Sequence, residues 1–562
     1  MKKNILLIII SIAIIILGTT MILSTDEPIV EERAKIEDAF VVYIDTEQLL
    51  TKGALDKYVT PEQRDILTSY VTADISNKDV TAHFDTILNN INHSGIDCTK
   101  PLYGYYDEVN NGFVFIAEVA SAEAIDTSIN TLSTLLNRNL KIENNKEDRV
   151  CMISSEVAVA YNNERIALII NNKENISAAL SDALSRRLAD LSIFENSDIS
   201  LYIDAQKMAN IGISYIDKQI EELDKSIATN GEEYTKRCTA ELNEQRSIIT
   251  EWSSNFGEEA HLLTSLTFEQ GRATLDCKAR GINIPEEKAI LTPSDDNHLN
   301  YYNKDALAIF NVSADGTRVS SAISTFVNSP LAKLLNLNAG NQSRMILSIL
   351  CDAIESIYGD TTIIIESIDG KFANKMDYYR GKVVSEPVIS DIKSAVVMDV
   401  TDSYIISNVG QYSMGLLRKV GDNHYVGGFG NLNFNIEQNE GLLFAGVNMK
   451  PEDVKTPATE AEWAEQVKGS YYYWVVNGDG LTENKFTGEF TKRIIDDMIL
   501  AEYRAMCNAL IDMCSYVYST SHEPLCNQTV IIFDNKDVNS LEQVSSIVVP
   551  IVTDKLTREI LK

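Results

Sequence analysis

Cations are scarce in this chain: 49 Lys and Arg stand against 81 Asp and Glu over 562 residues, a net charge of −32. A surface that acidic repels phosphate backbones and anionic headgroups, which argues against nucleic acid as a partner. Cysteine is sparse as well. Cys98, Cys151, Cys238, Cys277, Cys351, Cys507, Cys514 and Cys526 are scattered without a CxxC or Cys/His cluster. That is too thin for a disulfide scaffold, so buried thiols are expected. Cys507 and Cys514 are expected on one helix face, ~10 Å apart along its axis and beyond disulfide reach. The histidines are dispersed: His83, His93, His261, His298, His424 and His522. On a shared helix His83 and His93 would be ~15 Å apart and off-face, too far to chelate one ion.

The motifs of common chemistries are missing too: no P-loop, GxGxxG, HExxH or GxSxG occurs. "VGGFGN" (426–431) lacks the lysine of a phosphate loop and reads as a strand edge or hairpin. "SDIK" (Ser390 to Lys393) fits the SxxK of serine acylases, but SDN and KTG companions are absent. "NGDG" (477–480) lacks calcium-ligand spacing and reads as a turn after "YYYWVV". No catalytic, cofactor-binding or metal-binding residue is singled out, and no cofactor is expected.

What is present begins with grease. After Lys2 and Lys3, nineteen uncharged residues run from Ile5 to Leu23, nearly enough helix to cross a ~30 Å hydrocarbon layer. Asp26, Glu27, Glu31 and Glu32 follow. The positive-inside rule then leaves residues 1–4 in the cytoplasm and exports the rest. A cleaved signal peptide is the competing reading, with "GTT" (18–20) as a poor cleavage site. The expectation is a single-pass protein of the cytoplasmic (inner) membrane with its bulk periplasmic.

Beyond the anchor the pattern is α+β: antiparallel sheets built from hairpins, helices on one face, and repeated strand–helix units. "VVYIDTEQLLTKG" (41–53) is echoed by "LYIDAQKMANIG" (201–212), each passing from a strand through Asp into a helix. Asp45 and Asp204 are expected as N-caps, Asp45 with Gln48 in a capping box. Glu47 is matched by Gln206, so a catalytic acid pair is disfavoured. A second echo joins Asn172-Lys173 with Ser177 to Asn535-Lys536 with Ser540. Hairpins are expected at Asn111-Gly112, Asn162-Asn163, Gln270-Gly271 and Asp369-Gly370. Helices are expected over 61–74, 79–92, 122–137, 174–190, 341–357, 490–519 and 540–561.

The expected order is thus a cytoplasmic tip (1–4), an anchor (5–23), a linker (24–36) and an α+β region (37–284) with a helical hairpin at 205–252. A proline-bearing linker (285–303) and a second α+β region (304–562) follow, with a lesser break at 450–460. The helical hairpin reads as a lid on its own sheet or an arm for a partner. The 24 Tyr cluster at 103–106, 300–303, 377–381 and 471–476. Such rings stack on sugars or anchor interfaces when exposed, and half-bury on strands otherwise.

The strand "AFVVYIDTEQLL", then "GIDCTKPLYGYYD", "GLLFAGVNMKPEDV" (441–454) and the closing "DNKDVNSLEQV" resemble domain-of-unknown-function family 4836 of Bacteroides-type bacteria. The resemblance implies an exported, membrane-attached protein and transfers no catalytic residue. Many members look like lipoproteins, whereas no cysteine precedes Cys98 here, so the apolar helix must serve as anchor. The function expected is a non-catalytic binding or structural module of the cell envelope, attached to the membrane by its N-terminal helix, with a protein or glycan ligand. The alternative is an envelope hydrolase whose site is assembled from distant segments.

Overall fold

The computed structural model describes residues 36–560 apart from 37, 72–77, 110–111, 137, 146, 172–182, 187–190, 195, 227–230, 284–289, 328–350, 378–381, 414, 502 and 524. The expected anchor (5–23) and almost all of the linker after it lie outside the described residues, as do Asn172, Lys173 and Ser177. Most of the helix expected over 174–190, much of that over 341–357 and most of the Tyr cluster at 377–381 do as well. Among the described residues no helix is long and apolar enough to cross a membrane.

Besides the single turns Leu55–Tyr58 and Ala464–Val467, the helices among the described residues are α1 (Thr46–Gly53), α2 (Pro61–Val71), α3 (Lys78–Asn89), α4 (Ala122–Leu135), α5 (Ala205–Lys225), α6 (Glu232–Ser253), α7 (Gly316–Val327), α8 (Tyr404–Tyr412), α9 (Gly478–Glu483), α10 (Lys485–Met498), α11 (Arg504–Ile511) and α12 (Ser540–Ile560). They accompany antiparallel strands in two compact units, each gathered from separate chain segments. One holds 30–211, 258–277 and 535–562; the other holds 212–257 and 278–534.

The first unit contains β1 (Phe40–Ile44), β2 (Leu102–Asp107), β3 (Gly112–Glu118), β4 (Ile142–Asn145), β5 (Asp148–Met152), β6 (Val157–Tyr161), β7 (Arg165–Asn171), β8 (Ile199–Asp204) and most of β9 (Phe256–Glu269). Its order is β9-β8-β1-β2-β3-β7-β6-β5-β4. Val41, Tyr103, Tyr105, Val114, Ile116, Ala167 and Ile169 form the core across its central strands. β9 turns at Gln270-Gly271 into β10 (Arg272–Ile282), as the dipeptide predicts.

The second unit contains β11 (Ala308–Asp315), β12 (Ile357–Asp377), β13 (Lys382–Val400), β14 (Leu417–Gly421), β15 (His424–Phe429), β16 (Leu432–Asn439), β17 (Leu442–Val447), β18 (Tyr472–Asn477), β19 (Cys514–Ser521) and β20 (Cys526–Phe533). Its order is β20-β19-β18-β11-β12-β13-β17-β16-β15-β14. Residues 285–303, read from sequence as a linker, contribute buried Ile290, Leu291, Leu299 and Tyr302. Leu299 and Tyr302 join Ala458, Trp463 and Val467 on the sheet core. The described part of that stretch, 290–303, therefore packs on the core.

Each sheet contains an adjacent pair of antiparallel strands that run on into capped helices. In the first unit Val42 sits opposite Leu201, with β1 and β8 antiparallel about that pair. Asp45 Oδ1 accepts from Gln48 N at 2.9 Å, and Asp204 Oδ1 accepts from Lys207 N at 2.8 Å. The Asp45 N–H goes across the strands to Asp198 O (2.8 Å), and the Asp204 N–H goes to Ala39 O (2.9 Å). Because its N–H is used there, Asp45 makes the forward half of the expected capping box and not the return half.

In the second unit Asn311 sits opposite Tyr473. Asp315 accepts from Thr317 N at 3.0 Å, and Asn477 accepts from Gly480 N at 2.8 Å. "NGDG", read as a turn after "YYYWVV", is the capped entry into α9 at the end of β18.

Two other expectations change. Asp369-Gly370 is a register shift inside β12, which runs on to Asp377 before β13 returns. A Cβ at Gly370 would lie 2.7 Å from the Phe486 ring, so the glycine admits a neighbouring side chain. Residues 490–519 are not one helix: α10 and α11 precede β19, which places Cys507 on a helix and Cys514 on a strand. All eight cysteines are free.

Candidate functional site

Among the described residues, three groupings of side chains bear on a functional site. In the first unit, His83 on α3 meets Ser128 on α4, Nε2 to Oγ at 3.1 Å. A serine nucleophile would have to give its proton to this imidazole. Ser128 Oγ instead donates to Ser94 O at 2.9 Å, so it accepts from the histidine. Burial, and then the nearness of His93, push the His83 pKa below its ordinary value. The pair ties helices together and is set the wrong way round for attack.

The second place is a buried polar network in the second unit. Asp360 at the start of β12 accepts from Ser294 Oγ at 2.7 Å and from Asn311 Nδ2 at 3.3 Å. Thr362 Oγ1 donates to Asn311 Oδ1 (2.6 Å), which leaves its lone pairs to accept from His298 Nδ1 (2.7 Å). His298 Nε2 faces Asp399 Oδ1 at 3.1 Å, so a proton has to lie on that contact. Asp399 Oδ2 also accepts from the Asp360 N–H at 2.7 Å. Burial pushes the Asp360 carboxyl above its ordinary pKa although Ser294, His298 and Asn311 pull it down.

His298, Asn311, Asp360 and Thr362 are all buried, which removes this Thr–His–Asp series from any substrate. One oxygen from each of Asp295, Asp360 and Asp399 lies within 4.8 Å of the others. Asn297 donates to Asp295 from its backbone N–H and its amide, and with the donors already on Asp360 and Asp399 this gives each carboxylate a partner without an ion. Beside the network the Tyr302 and Tyr473 hydroxyls meet at 2.7 Å, both rings buried. The Tyr clusters at 103–106 and 471–476 likewise contribute buried Tyr103, Tyr105, Tyr106, Tyr471 and Tyr473.

The third place is open. β12 and β13 continue as a two-stranded ribbon past their last neighbours, because β11 pairs only to Ile365 and β17 only from Ser394. α10 lies on one face of this ribbon. Phe372 and Phe486 rings are 5.4 Å apart, and Phe486 and Phe490 are 6.2 Å apart. The Arg493 guanidinium sits 3.8 Å over Phe372 and donates to Ser385 O at 3.0 Å and Glu489 Oε1 at 2.6 Å. Between ribbon and helix runs a groove of about 620 Å³, lined by Asp369, Lys371, Phe372, Ser385, Asn484, Lys485, Phe486, Glu489 and Arg493. Sequence reading missed it, because its aromatic and charged residues come from segments over a hundred positions apart.

The remaining motif residues are dispersed. Ser390 and Lys393 lie on β13, where a three-residue step changes sheet face, so they do not form the helical turn that SxxK needs. "VGGFGN" is the β15–β16 hairpin, with Gly430 at φ +61°.

The family model for Domain of unknown function (DUF4836) matches residues 34–541, and the chain belongs to that family. Crystal form III of TP0453 is similar at 14% identity over 47% of this chain and 84% of that one, with a TM-score of 0.21. Crystal form IV gives 14% identity over 45% and 81%, again at a TM-score of 0.21. A TM-score that low supports no statement about fold or function. No curated protein matches the chain.

Proposed function

We propose that the chain is a membrane-attached, extracytoplasmic protein of the cell envelope of Bacteroides-type bacteria, and that it binds a protein or glycan rather than transforming one. The apolar run from Ile5 to Leu23 supports the attachment. The observation that carries the binding reading is the groove along α10. It is preformed and open, its walls combine stacked Phe rings with amide, acid and base groups, and Ser385 stands there without a histidine. The two units are read as copies of one module, since their strand orders correspond and each contains two capped strand–helix joints on adjacent strands. An envelope hydrolase with a site assembled from distant segments is the second reading; the Thr362–His298–Asp399 series is assembled in that way, and its burial weighs against it.

Pull-down from detergent-solubilised envelopes tests this. The full chain should retain an intact protein or glycan, and Lys371→Glu with Lys485→Glu should reduce that retention about tenfold, since both lysines line the groove. Recovery of a cleaved ligand, or retention indifferent to both lysines, contradicts it.

A further inference from the structure

Hydrogen-bond directions fix where protons lie around His298. Asn311 Nδ2 donates to Asp360 Oδ1, which leaves Asn311 Oδ1 to take the one proton of the Thr362 hydroxyl. His298 Nδ1, 2.7 Å from that hydroxyl oxygen, therefore donates to it. A neutral imidazole carries a single N–H, and here it is already used. Its Nε2 would then aim a lone pair at Asp399 Oδ1 across 3.1 Å. A second ring proton turns that repulsion into a charge-assisted hydrogen bond. Asp399 fits the acceptor role, because its Oδ2 takes the Asp360 N–H at 2.7 Å and its side chain keeps 23% exposure.

The surroundings suit a cation at this point. Asp360 on β12 and Asp399 on β13 face the imidazole, and Asp295 and Asp296 precede it on its own segment. The Tyr301 and His298 rings meet edge to face at 6.4 Å, and the Tyr302 and Tyr473 hydroxyls interact with Asp360. No ion pair among the described residues brings Lys or Arg to any of these four carboxylates. The place of Asp399 is also kept open: a Cβ on Gly359, at φ +115°, would lie 2.7 Å from its Oδ2.

The imidazole is what holds its turn to the sheet. The segment is fixed before it by Asp296 Oδ1, which takes the Gly469 N–H at 2.8 Å, and after it by Tyr302 O, which takes the Ala458 N–H at 3.0 Å. Between them lies the 3-10 turn Asn297–Asn300, whose hydrogen bonds to β12 and β13 come from His298. That turn carries Leu299 into the core.

We propose that this turn is a pH-sensitive latch: a proton on His298 Nε2, shared with Asp399, pins it to the sheet, and a rise in pH that removes the proton frees the turn and uncovers Leu299. The closed chain then binds one proton more than the opened one, whose histidine loses its charge near the ordinary value of about 6.5. Closure is therefore at full strength below that value and weakens as pH rises above it, by up to about tenfold in the closing constant per pH unit.

The test follows hydrogen exchange of the full chain across residues 295–301, from about pH 5.5 to about 8.5 and referenced to intrinsic rates. Wild-type protection should fall by at least about tenfold over that range. Asp399→Asn should reverse the trend, because its amide donates to a neutral Nε2 while its oxygen keeps the Asp360 N–H. Protection in that variant should rise up to about pH 6.5 and then stay level. The Asp360 carboxyl, raised by burial, is common to both chains and cannot produce such a reversal. Should the variant not fold, the nitrogen NMR resonances of the wild-type imidazole, assigned by their absence from His298→Gln, decide: both ring nitrogens must bear protons at about pH 7. A bare Nε2 overturns the proposal, and so does a fall in protection that Asp399→Asn shares.

Discussion

Asp45 shows what a carboxylate beside a strand is for in this fold. Its oxygen accepts the Gln48 N–H, and its own N–H crosses to Asp198 O. Asp45→Ala should lower stability by about 1 kcal/mol in denaturant titration and leave ligand retention unchanged. Asp360 is the opposite case. Burial raises its pKa, so the fold favours the protonated acid. Its contribution to stability is full below the ordinary carboxylate pKa and is lost as pH rises through the raised value. Asp360→Asn keeps an acceptor for Asn311 and removes that loss. Thermal melts should show an equal or higher Tm near neutrality and a flatter pH profile; a lower Tm there would mean that the charged form is what the network requires. The Asp45 cap was legible in sequence because capping is local. The network was not: Ser294, Asn311, Asp360 and Asp399 meet through pairing of distant strands, and nothing near any of them marks it.

At the scale of elements, the residue after three of the four caps touches a distant stretch of backbone at the start of another strand. Thr46 Oγ1 donates to Cys98 O at 3.0 Å, just before β2. A Cβ on Gly316 would lie 1.8 Å from Ile354 O, and one on Gly478 would lie 1.8 Å from Cys514 O. Gly316→Ala and Gly478→Ala should each destabilise by about 3 kcal/mol, because a backbone carbonyl cannot give way as a side chain can. Chemical denaturation measures this, and wild-type midpoints would show the contacts to be soft. Strand-to-helix steps and most hairpins were readable from period and turn dipeptides. Asp369-Gly370 misled because the same dipeptide serves a bulge where Phe486 approaches, and that approach is set by α10 over a hundred residues away.

At the scale of the whole molecule, the C-terminal helix completes the unit that contains the N-terminal strand. Leu541 on α12 lies 3.6 Å from where a Gly53 Cβ would be, Gln63 donates to Thr553 at 2.9 Å, and Lys57 reaches Glu542. Removing residues 540–562 should speed hydrogen exchange in α1 and α2, while β12 and β13 keep their protection. Equal loss in both places would make the chain one cooperative body. Hairpin dipeptides and helical periodicity gave a sound α+β class but not this discontinuous assembly, since no local pattern says which distant segment a terminal helix will cover.

The account turns on where this acidic body resides. Envelope fractions of intact cells and spheroplasts, washed with alkaline carbonate and then exposed to external protease, decide it directly. The account predicts that the chain stays in the inner-membrane pellet and that residues beyond 36 are digested in spheroplasts but protected in intact cells. Recovery in the soluble cytoplasmic fraction, resistant to protease until lysis, would contradict it.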